Sequence, residues 1–330
     1  MSQQTTYHIQ PEVLAFMRKS SGMTEDDVAK KLKLSKSKYL SIETGKEKIP
    51  QTYLIQLADI YKRPLIAFYS PDLTTAPDLP HDYRLNRDKK LSSEVFFAKR
   101  KALYLSEQLK EITGQTTTLP QINRNASPSE LAKSIKALLK IDYNALKELT
   151  DEPIISYYKS LIEEKFFIPV LEHALKTNGV RAFSVYGEVS VIVLNESDIA
   201  EVKLFSLFHE LCHLLKREEG ICSIDIEKDT QNQPEERYCD EFAAHILMPE
   251  TELRRAVQQP ITTFQQVEKL AKSFGRKQTS NYYSLKELEI IDTTKYRLFK
   301  SKFEAAKQTW FRQTKLERTF IKPDKPFSAE

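Results

Sequence analysis

Hydrophobic residues recur at intervals of three and four along most of this chain, which predicts a mainly helical protein. One long apolar periodicity predicts a helix over residues 91–113, with Gly114 placed to end it. Alternating valines predict a hairpin over residues 181–195, turning at Gly187. A further short strand is predicted over residues 166–171. The pattern therefore predicts a mainly α, α+β fold with a small β-sheet.

Residues 11–70 predict five short helices joined by tight turns. Thr24 and Asp27 form the pattern of a capping box at the start of the second helix. Ser35 can cap the third helix, which the apolar positions place at residues 36–43. This series of short, capped helices predicts a small all-α domain at the start of the chain.

The bulk composition is that of an ordinary globular protein. The 330 residues, 40% hydrophobic and 29% charged, suffice for two or three domains. A net charge of +4 is compatible with nucleic-acid binding but does not identify it. Three cysteines without a disulfide spacing favour a reducing cytoplasm, and the sequence contains neither a signal peptide nor a membrane-spanning run. We expect a cytoplasmic protein without a membrane partner, and the sequence leaves its oligomeric state open.

A candidate metal-binding motif lies in an apolar, helix-like stretch at residues 205–215, which contains the pattern His-Glu-x-x-His. His209 and His213 are four residues apart and therefore share one face of a helix. Two imidazoles so placed can hold Zn²⁺, while Glu210 can take a proton from a metal-bound water. Because a five-residue pattern of this kind also occurs by chance, a third ligand is needed to support the metal site.

A second predicted helix, over residues 235–248, offers that third protein ligand. Glu236 is the preferred residue. Asp240 lies one turn later and can accept the other ring N–H of a histidine ligand, which would fix its tautomer. Glu235, about 100° away around the helix, and His245, near the opposite face, are weaker alternatives.

Three cysteines and three tyrosines accompany these motifs. Cys212 and Cys239 lie inside them, and burial beside the site is their favoured role. Cys222 is a weaker candidate for an inhibitory zinc ligand. A peptidase would also need a group to stabilise an oxyanion, and the sequence does not choose among its candidates, Tyr238, Tyr282 and Tyr283.

Together the two motifs resemble the ImmA/IrrE family of metallopeptidases. The resemblance rests on Phe205-x-x-Phe208-His209-Glu210-Leu211-x-His213 and on Glu236-x-x-Cys239-Asp240-x-Phe242-Ala243-Ala244. It implies a zincin-like, gluzincin-type endopeptidase domain of a bacterial protein, in which one Zn²⁺ is bound by His209, His213 and Glu236 and Glu210 is the general base. The usual substrate would be a helix-turn-helix repressor, whose cleavage derepresses genes. A free edge of the 181–195 hairpin could pair with an extended peptide.

The N-terminal helices resemble the helix-turn-helix domain of Cro- and phage-repressor-type (XRE) regulators. The resemblance is carried by Gly22-Met23-Thr24, Leu34-Ser35 and Ile42-Glu43-Thr44-Gly45. It implies that the third helix can enter the major groove. The side chains that would face DNA are Lys36, Ser37, Lys38 and Lys46. The carboxylates of residues 25–27 lie where phosphates would approach and oppose DNA binding, so protein contact or dimerisation is an alternative role.

These observations divide the chain into five expected regions: a helix-turn-helix domain (8–70), a linker (71–90), a helical connecting region (91–155), a zincin-like metallopeptidase domain (156–255) and a C-terminal helical region (256–330). The expected function is zinc-dependent cleavage of a helix-turn-helix repressor, or of an antitoxin-like partner, in a stress, DNA-damage or mobile-element response. The alternative is a DNA- or repressor-binding regulator whose metal domain senses or holds a partner without proteolysis. A component of a toxin–antitoxin or phage-defence module is a third possibility.

Overall fold

A computed structural model describes residues 5–69, 91–142, 151–176, 180–217, 221–223 and 234–247, with isolated positions between 255 and 298. The chain divides into two compact units. One comprises Met1–Pro120, Ile162–Asp198 and His213–Gln233, and the other comprises Gln121–Leu161, Ile199–Cys212 and Pro234–Glu330. Within the described ranges, every helix is too short or too polar to cross a bilayer.

The N-terminal helical domain, residues 5–69, consists of short helices and a two-stranded ribbon. Its elements are β1 (Thr6–Tyr7), α1 (Pro11–Lys19), α2 (Glu25–Leu32), α3 (Lys36–Glu43), β2 (Ile49–Pro50), α4 (Gln51–Tyr61) and a 3-10 helix (Leu65–Tyr69). The predicted caps form: Thr24 and Asp27 make a capping box, and the Ser35 hydroxyl accepts a hydrogen bond from the backbone N–H of Lys38. The five predicted helices are confirmed, whereas the ribbon, with strands of two residues, was not predicted.

A buried ion pair joins the first and third helices of this domain. Nη2 of Arg18 lies 2.8 Å from Oε1 of Glu43 and 2.7 Å from Oε1 of Glu25. The hydrogen bond to Glu43 raises the pKa of Arg18, although burial works against its charge. Burial also opposes ionisation of Glu43, but hydrogen bonds from Arg18 and Tyr39 hold its pKa below the usual value. Both partners therefore remain charged at neutral pH.

The remaining elements are α5 (Ser93–Thr113), α6 (Pro128–Leu139), α7 (Asp151–Phe166), β3 (Val170–His173), β4 (Val180–Val185), β5 (Val191–Asn195), α8 (Ala200–Lys216), β6 (Ile221–Ser223) and α9 (Pro234–Leu247). As predicted, α5 ends at Gly114, whose φ is 67°. The strand predicted at residues 166–171 is wrong in position. Phe166 still belongs to α7, the left-handed backbone of Phe167 (φ 53°) ends that helix, and the strand begins at Val170.

The four strands that follow the N-terminal helical domain form one sheet with the order β3-β5-β4-β6. β4 and β5 pair antiparallel, which confirms the predicted hairpin, and β3 pairs parallel to β5. All five residues of β5 are buried, as expected for an interior strand covered on both faces. Because both hairpin strands are interior, the expectation that one of them offers a free edge is wrong. The edges of the described sheet are β3 and β6.

Helix α5 packs against the N-terminal helical domain. Phe97 packs against the apolar core of that domain. Nη2 of Arg100 donates to the backbone carbonyls of Tyr61, at 2.9 Å, and Lys62, at 3.1 Å, at the end of α4. These carbonyls have no acceptor role inside α4, so the guanidinium caps that helix.

The same helix also covers the sheet. Val95, Ala98 and Ala102 share a buried apolar cluster with valines and Phe183 of β4 and β5. The hydroxyl of Ser92, just before the helix, donates to the carbonyl of Leu175 at 2.7 Å. α5 is therefore buried on two sides, by the N-terminal helical domain and by the sheet.

The contact between Gly22 and the Phe96 ring of α5 can be tested with a matched pair of substitutions. A Cβ on Gly22 would overlap the Phe96 ring, whereas a Cβ on Gly114 would meet nothing within 4 Å, and the two glycines have similar φ angles of 65° and 67°. We expect Gly114→Ala to lower the free energy of unfolding by about 1 kcal/mol through backbone strain alone. Gly22→Ala should cost about 1–3 kcal/mol more through overpacking.

Urea unfolding of both variants, of Phe96→Ala and of Gly22→Ala combined with Phe96→Ala measures this difference, with the double variant compared with Phe96→Ala alone. If the additional cost of Gly22→Ala comes from the ring, removal of the ring will eliminate it in the double variant. Equal losses for Gly22→Ala and Gly114→Ala would show that Phe96 does not press on this turn.

Candidate metal centre

Helix α8 is buried around nearly its whole circumference in its second half. Residues 206–215 are all buried, as expected for a helix whose apolar positions are not confined to one stripe. Three ionisable side chains lie within this stretch: His209 is 2% exposed, Glu210 0% and His213 1%. Burial of such groups costs several kcal/mol unless partners compensate it, so their surroundings must supply those partners.

A fourth buried ionisable residue joins them from the first turn of α9. Glu236 is 2% exposed, and its Oε2 lies 3.3 Å from Nε2 of His209. One ligand atom from each of His209, His213 and Glu236 lies within 4.8 Å of the others, and no second such group occurs among the described residues. The structure thus brings together the three residues that the sequence motifs singled out.

The environment of His209 fixes which of its ring nitrogens is available. Nδ1 lies 2.8 Å from Oδ1 of Asp240. Because a carboxylate only accepts hydrogen bonds, Nδ1 carries a proton, and in the neutral imidazole the lone pair is then on Nε2. That lone pair faces Oε2 of Glu236, so two acceptors meet at 3.3 Å. A cation bound by both atoms would remove the repulsion between them.

Glu210 provides an independent test of whether a metal fits. Both of its carboxylate oxygens are buried and have no hydrogen-bond partner among the described residues. A buried carboxylate without a partner is costly, and a water bound to an adjacent metal would provide one. Two imidazole nitrogens, one carboxylate and an open position form the donor set of a catalytic zinc site. The residues present therefore fit Zn²⁺.

The weaker alternatives are placed differently. Glu235 is exposed and His245 is half-buried, and neither takes part in the cluster. Cys212 and Cys239 are buried and form no disulfide within the described part of the chain, as expected for small residues beside the site. The side chain of Cys222 lies outside the described residues.

The hydroxyl of Tyr238, one of the proposed oxyanion donors, is already engaged. It donates to the backbone carbonyl of Ala126 at 2.8 Å. Burial raises the pKa of Tyr238 to about 12, so the hydroxyl keeps its proton at neutral pH. Its single proton is therefore held by Ala126 in this arrangement. The other two candidates, Tyr282 and Tyr283, lie outside the described residues.

Two models of known families match separate parts of the chain. Residues 14–68 match a helix-turn-helix family. Residues 163–278 match the IrrE N-terminal-like domain, which is a peptidase family. The chain joins a helix-turn-helix domain to an IrrE-like peptidase domain. A comparison with curated proteins gave no match. Both helices of the candidate site lie within the matched peptidase segment, and a peptidase of this family implies a metal.

The side chains expected to face DNA lie together on the surface of the helix-turn-helix domain. Lys36, Ser37, Lys38 and Lys46 are all exposed. Nζ of Lys36 lies 2.8 Å from Oδ2 of Asp26, and the hydrogen bond to Asp26 raises the pKa of Lys36. Lys38 forms an ion pair with Glu47. The positive charges of the two α3 lysines are therefore partly compensated by carboxylates of the same domain.

The other two carboxylates of the acidic turn are engaged as well. Glu25 pairs with Arg18, and Asp27 accepts hydrogen bonds from Thr24 in the capping box. Their negative charge is partly compensated within the domain, so this turn repels DNA phosphates less strongly than its formal charge suggests.

Removal of the Asp240 carboxylate should weaken metal binding. Asp240→Ala takes away the acceptor that orients His209, and we expect zinc affinity to fall by about 10–100-fold. Glu241→Ala is the control, because it removes a neighbouring carboxylate that pairs with Arg237 on the exposed side of α9. Competition with a chromophoric chelator measures both affinities. Equal zinc affinity in the two variants would show that Asp240 does not support the ligand.

Proposed function

We propose that this protein is a zinc-dependent endopeptidase that cleaves a helix-turn-helix repressor, or an antitoxin-like partner, in a stress, DNA-damage or mobile-element response. The observation that supports it best is the buried group of His209, His213 and Glu236 beside the Glu210 carboxylate, for which no described residue is a hydrogen-bond partner. The match to a peptidase family supports the same class of reaction.

The residues around the site have distinct roles in this proposal. When bound, Zn²⁺ would act as a Lewis acid and lower the pKa of a water ligand toward neutrality. Glu210 takes a proton from the attacking water at one carboxylate oxygen and passes it to the amine that leaves. A C–O bond forms at the peptide carbonyl while its C–N bond breaks. Asp240 holds the Nδ1 proton of His209 and keeps Nε2 available as a ligand.

The proposed substrate class is supported by the other domain of the chain. A helix-turn-helix domain covalently joined to a peptidase can bring it to the DNA, or to the protein surface, where a repressor is bound. The high local concentration that results would favour cleavage of that repressor over other proteins. We propose one Zn²⁺ ion and a protein substrate of this class.

Glu210→Gln should separate metal binding from cleavage. The amide cannot take a proton from water, so we expect cleavage to slow by about 10²–10⁴-fold while zinc remains bound. The substrate would be the helix-turn-helix repressor encoded beside this protein, and mass spectrometry would identify the fragments. Glu235→Gln is the matched control, because it makes the same change at an exposed position of α9. If Glu210→Gln still cut the repressor at the wild-type rate, this mechanism would be wrong.

The alternative function is that of a regulator that binds DNA or a repressor without cutting it. The exposed lysines at the start of α3 favour a DNA contact through the helix-turn-helix domain. The ion pairs of Lys36 and Lys38 reduce the gain from counterion release, because each lysine must leave a carboxylate before it can neutralise a phosphate.

This competition predicts that loss of a carboxylate will strengthen DNA binding. Asp26→Asn frees Lys36, so we expect tighter binding to a duplex from the protein's own promoter and a steeper dependence on salt, by about one unit of log–log slope. Glu12→Gln makes the same charge change at an exposed position of α1 and serves as control. Fluorescence anisotropy at several salt concentrations measures both variants. An equal effect of the two substitutions would show that Lys36 does not contact phosphate.

A further inference from the structure

Helix α6 precedes the segment that matches the peptidase family, yet it lies against the helix that carries Glu236. α6 and α9 have the most extensive contact of any two helices among the described elements. α6 begins at a complete capping box, in which Ser127 and Glu130 satisfy each other's backbone N–H groups. One face of the helix is buried through Leu131, Ala132, Ile135 and Leu139. α6 is therefore a well-formed element against which another helix can be held.

The first contact lies near the start of α9. The Tyr238 hydroxyl donates to the carbonyl of Ala126, the residue just before the Ser127 cap, at 2.8 Å. Glu236 lies two residues before Tyr238, within the first turn of α9. The first turn of a helix lacks half of its backbone hydrogen bonds and is prone to fraying. A side-chain bond at Tyr238 holds that turn in place.

The second contact lies near the end of α9. Nζ of Lys136 donates to the backbone carbonyl of His245 at 3.2 Å. The last carbonyls of a helix have no partner within it, and a cation there also interacts favourably with the helix dipole. Tyr238 and His245 are about two helical turns apart, so α6 and the residue just before its N-cap hold α9 near both ends.

We propose that α6 acts as a brace that positions Glu236 for metal binding, with Tyr238 and Lys136 as its positioning residues. This inference rests on the proposed function, because it concerns the same metal. Neither residue belongs to the ligand group. Each acts through α9, by limiting how far the first turn and the carboxylate of Glu236 can move from His209.

Two substitutions remove the contacts without removing bulk. Tyr238→Phe deletes one hydroxyl, and Lys136→Met deletes one ammonium group. We expect zinc affinity to fall by about ten-fold in Tyr238→Phe, the low end of the range for residues that support ligands, and by less in Lys136→Met. Lys136→Arg keeps a cationic donor and should restore most of the affinity. In the Co²⁺-substituted protein, Tyr238→Phe should also change the visible absorption of the metal.

Matched controls separate positioning from general stability. Tyr157→Phe removes a hydroxyl that accepts a hydrogen bond from the Asp142 backbone, a contact in which no residue of α9 takes part. Lys133→Met removes an exposed lysine from α6. Both controls should keep wild-type zinc affinity and Co²⁺ absorption, even if their unfolding temperatures fall as far as those of the test variants.

Hydrogen exchange of α9 in the metal-free protein provides a readout that does not depend on zinc. Faster exchange at residues 234–247 in Tyr238→Phe, together with weaker zinc binding, would support the brace. Unchanged exchange, or faster exchange with unchanged zinc affinity, would overturn it. A wild-type protein that binds no zinc would instead contradict the proposed function itself, so the two failures are distinguishable.

Discussion

The cost of burying charge governs the structure around the candidate metal centre. His209, Glu210, His213 and Glu236 are all excluded from water within two helices. Apolar packing alone would not tolerate these groups, because each loses several kcal/mol of hydration. Asp240 compensates one imidazole, and a cation among the three ligand atoms would compensate the rest. The same dry surroundings that make the site costly would strengthen every electrostatic interaction inside it.

Local patterns in the sequence were sufficient for most helices and for two of the candidate ligands. Helix ends depend on nearby residues, so Thr24, Ser35 and Gly114 could be recognised as caps without tertiary information. The two histidines lie on one helix, where a spacing of four residues determines their relative position. Glu236 needed a second motif, since helical geometry says nothing about how two helices meet. Glu236 was therefore chosen because a catalytic zinc site needs a third protein ligand, and the resemblance to a known family implies the same residue.

Features that depend on contacts between distant residues were not predictable in this way. The end of α7 depends on the left-handed backbone at Phe167, a conformation that an aromatic residue adopts only when the surrounding structure imposes it. The two hairpin strands, β4 and β5, lie inside the sheet because β3 pairs with β5 and β6 pairs with β4. The role of the Tyr238 hydroxyl could not be assigned from the sequence, because its hydrogen bond joins it to Ala126, 112 positions earlier. In the helix-turn-helix domain, the charge of Lys36 cannot be judged without Asp26, ten positions earlier.

The two-sided burial of α5 has a consequence for how long the protein survives in a cell. Phe97 and Arg100 belong to the packing of the helix-turn-helix domain, while Val95, Ala98 and Ala102 on the same helix belong to that of the sheet. Neither part can lose its structure without exposing apolar surface of the other. A ligand that binds the folded helix-turn-helix domain lowers the population of open states, to an extent set by its concentration relative to its dissociation constant. Occupancy at one end of the chain would then also reduce the exposure of the sheet to proteolysis.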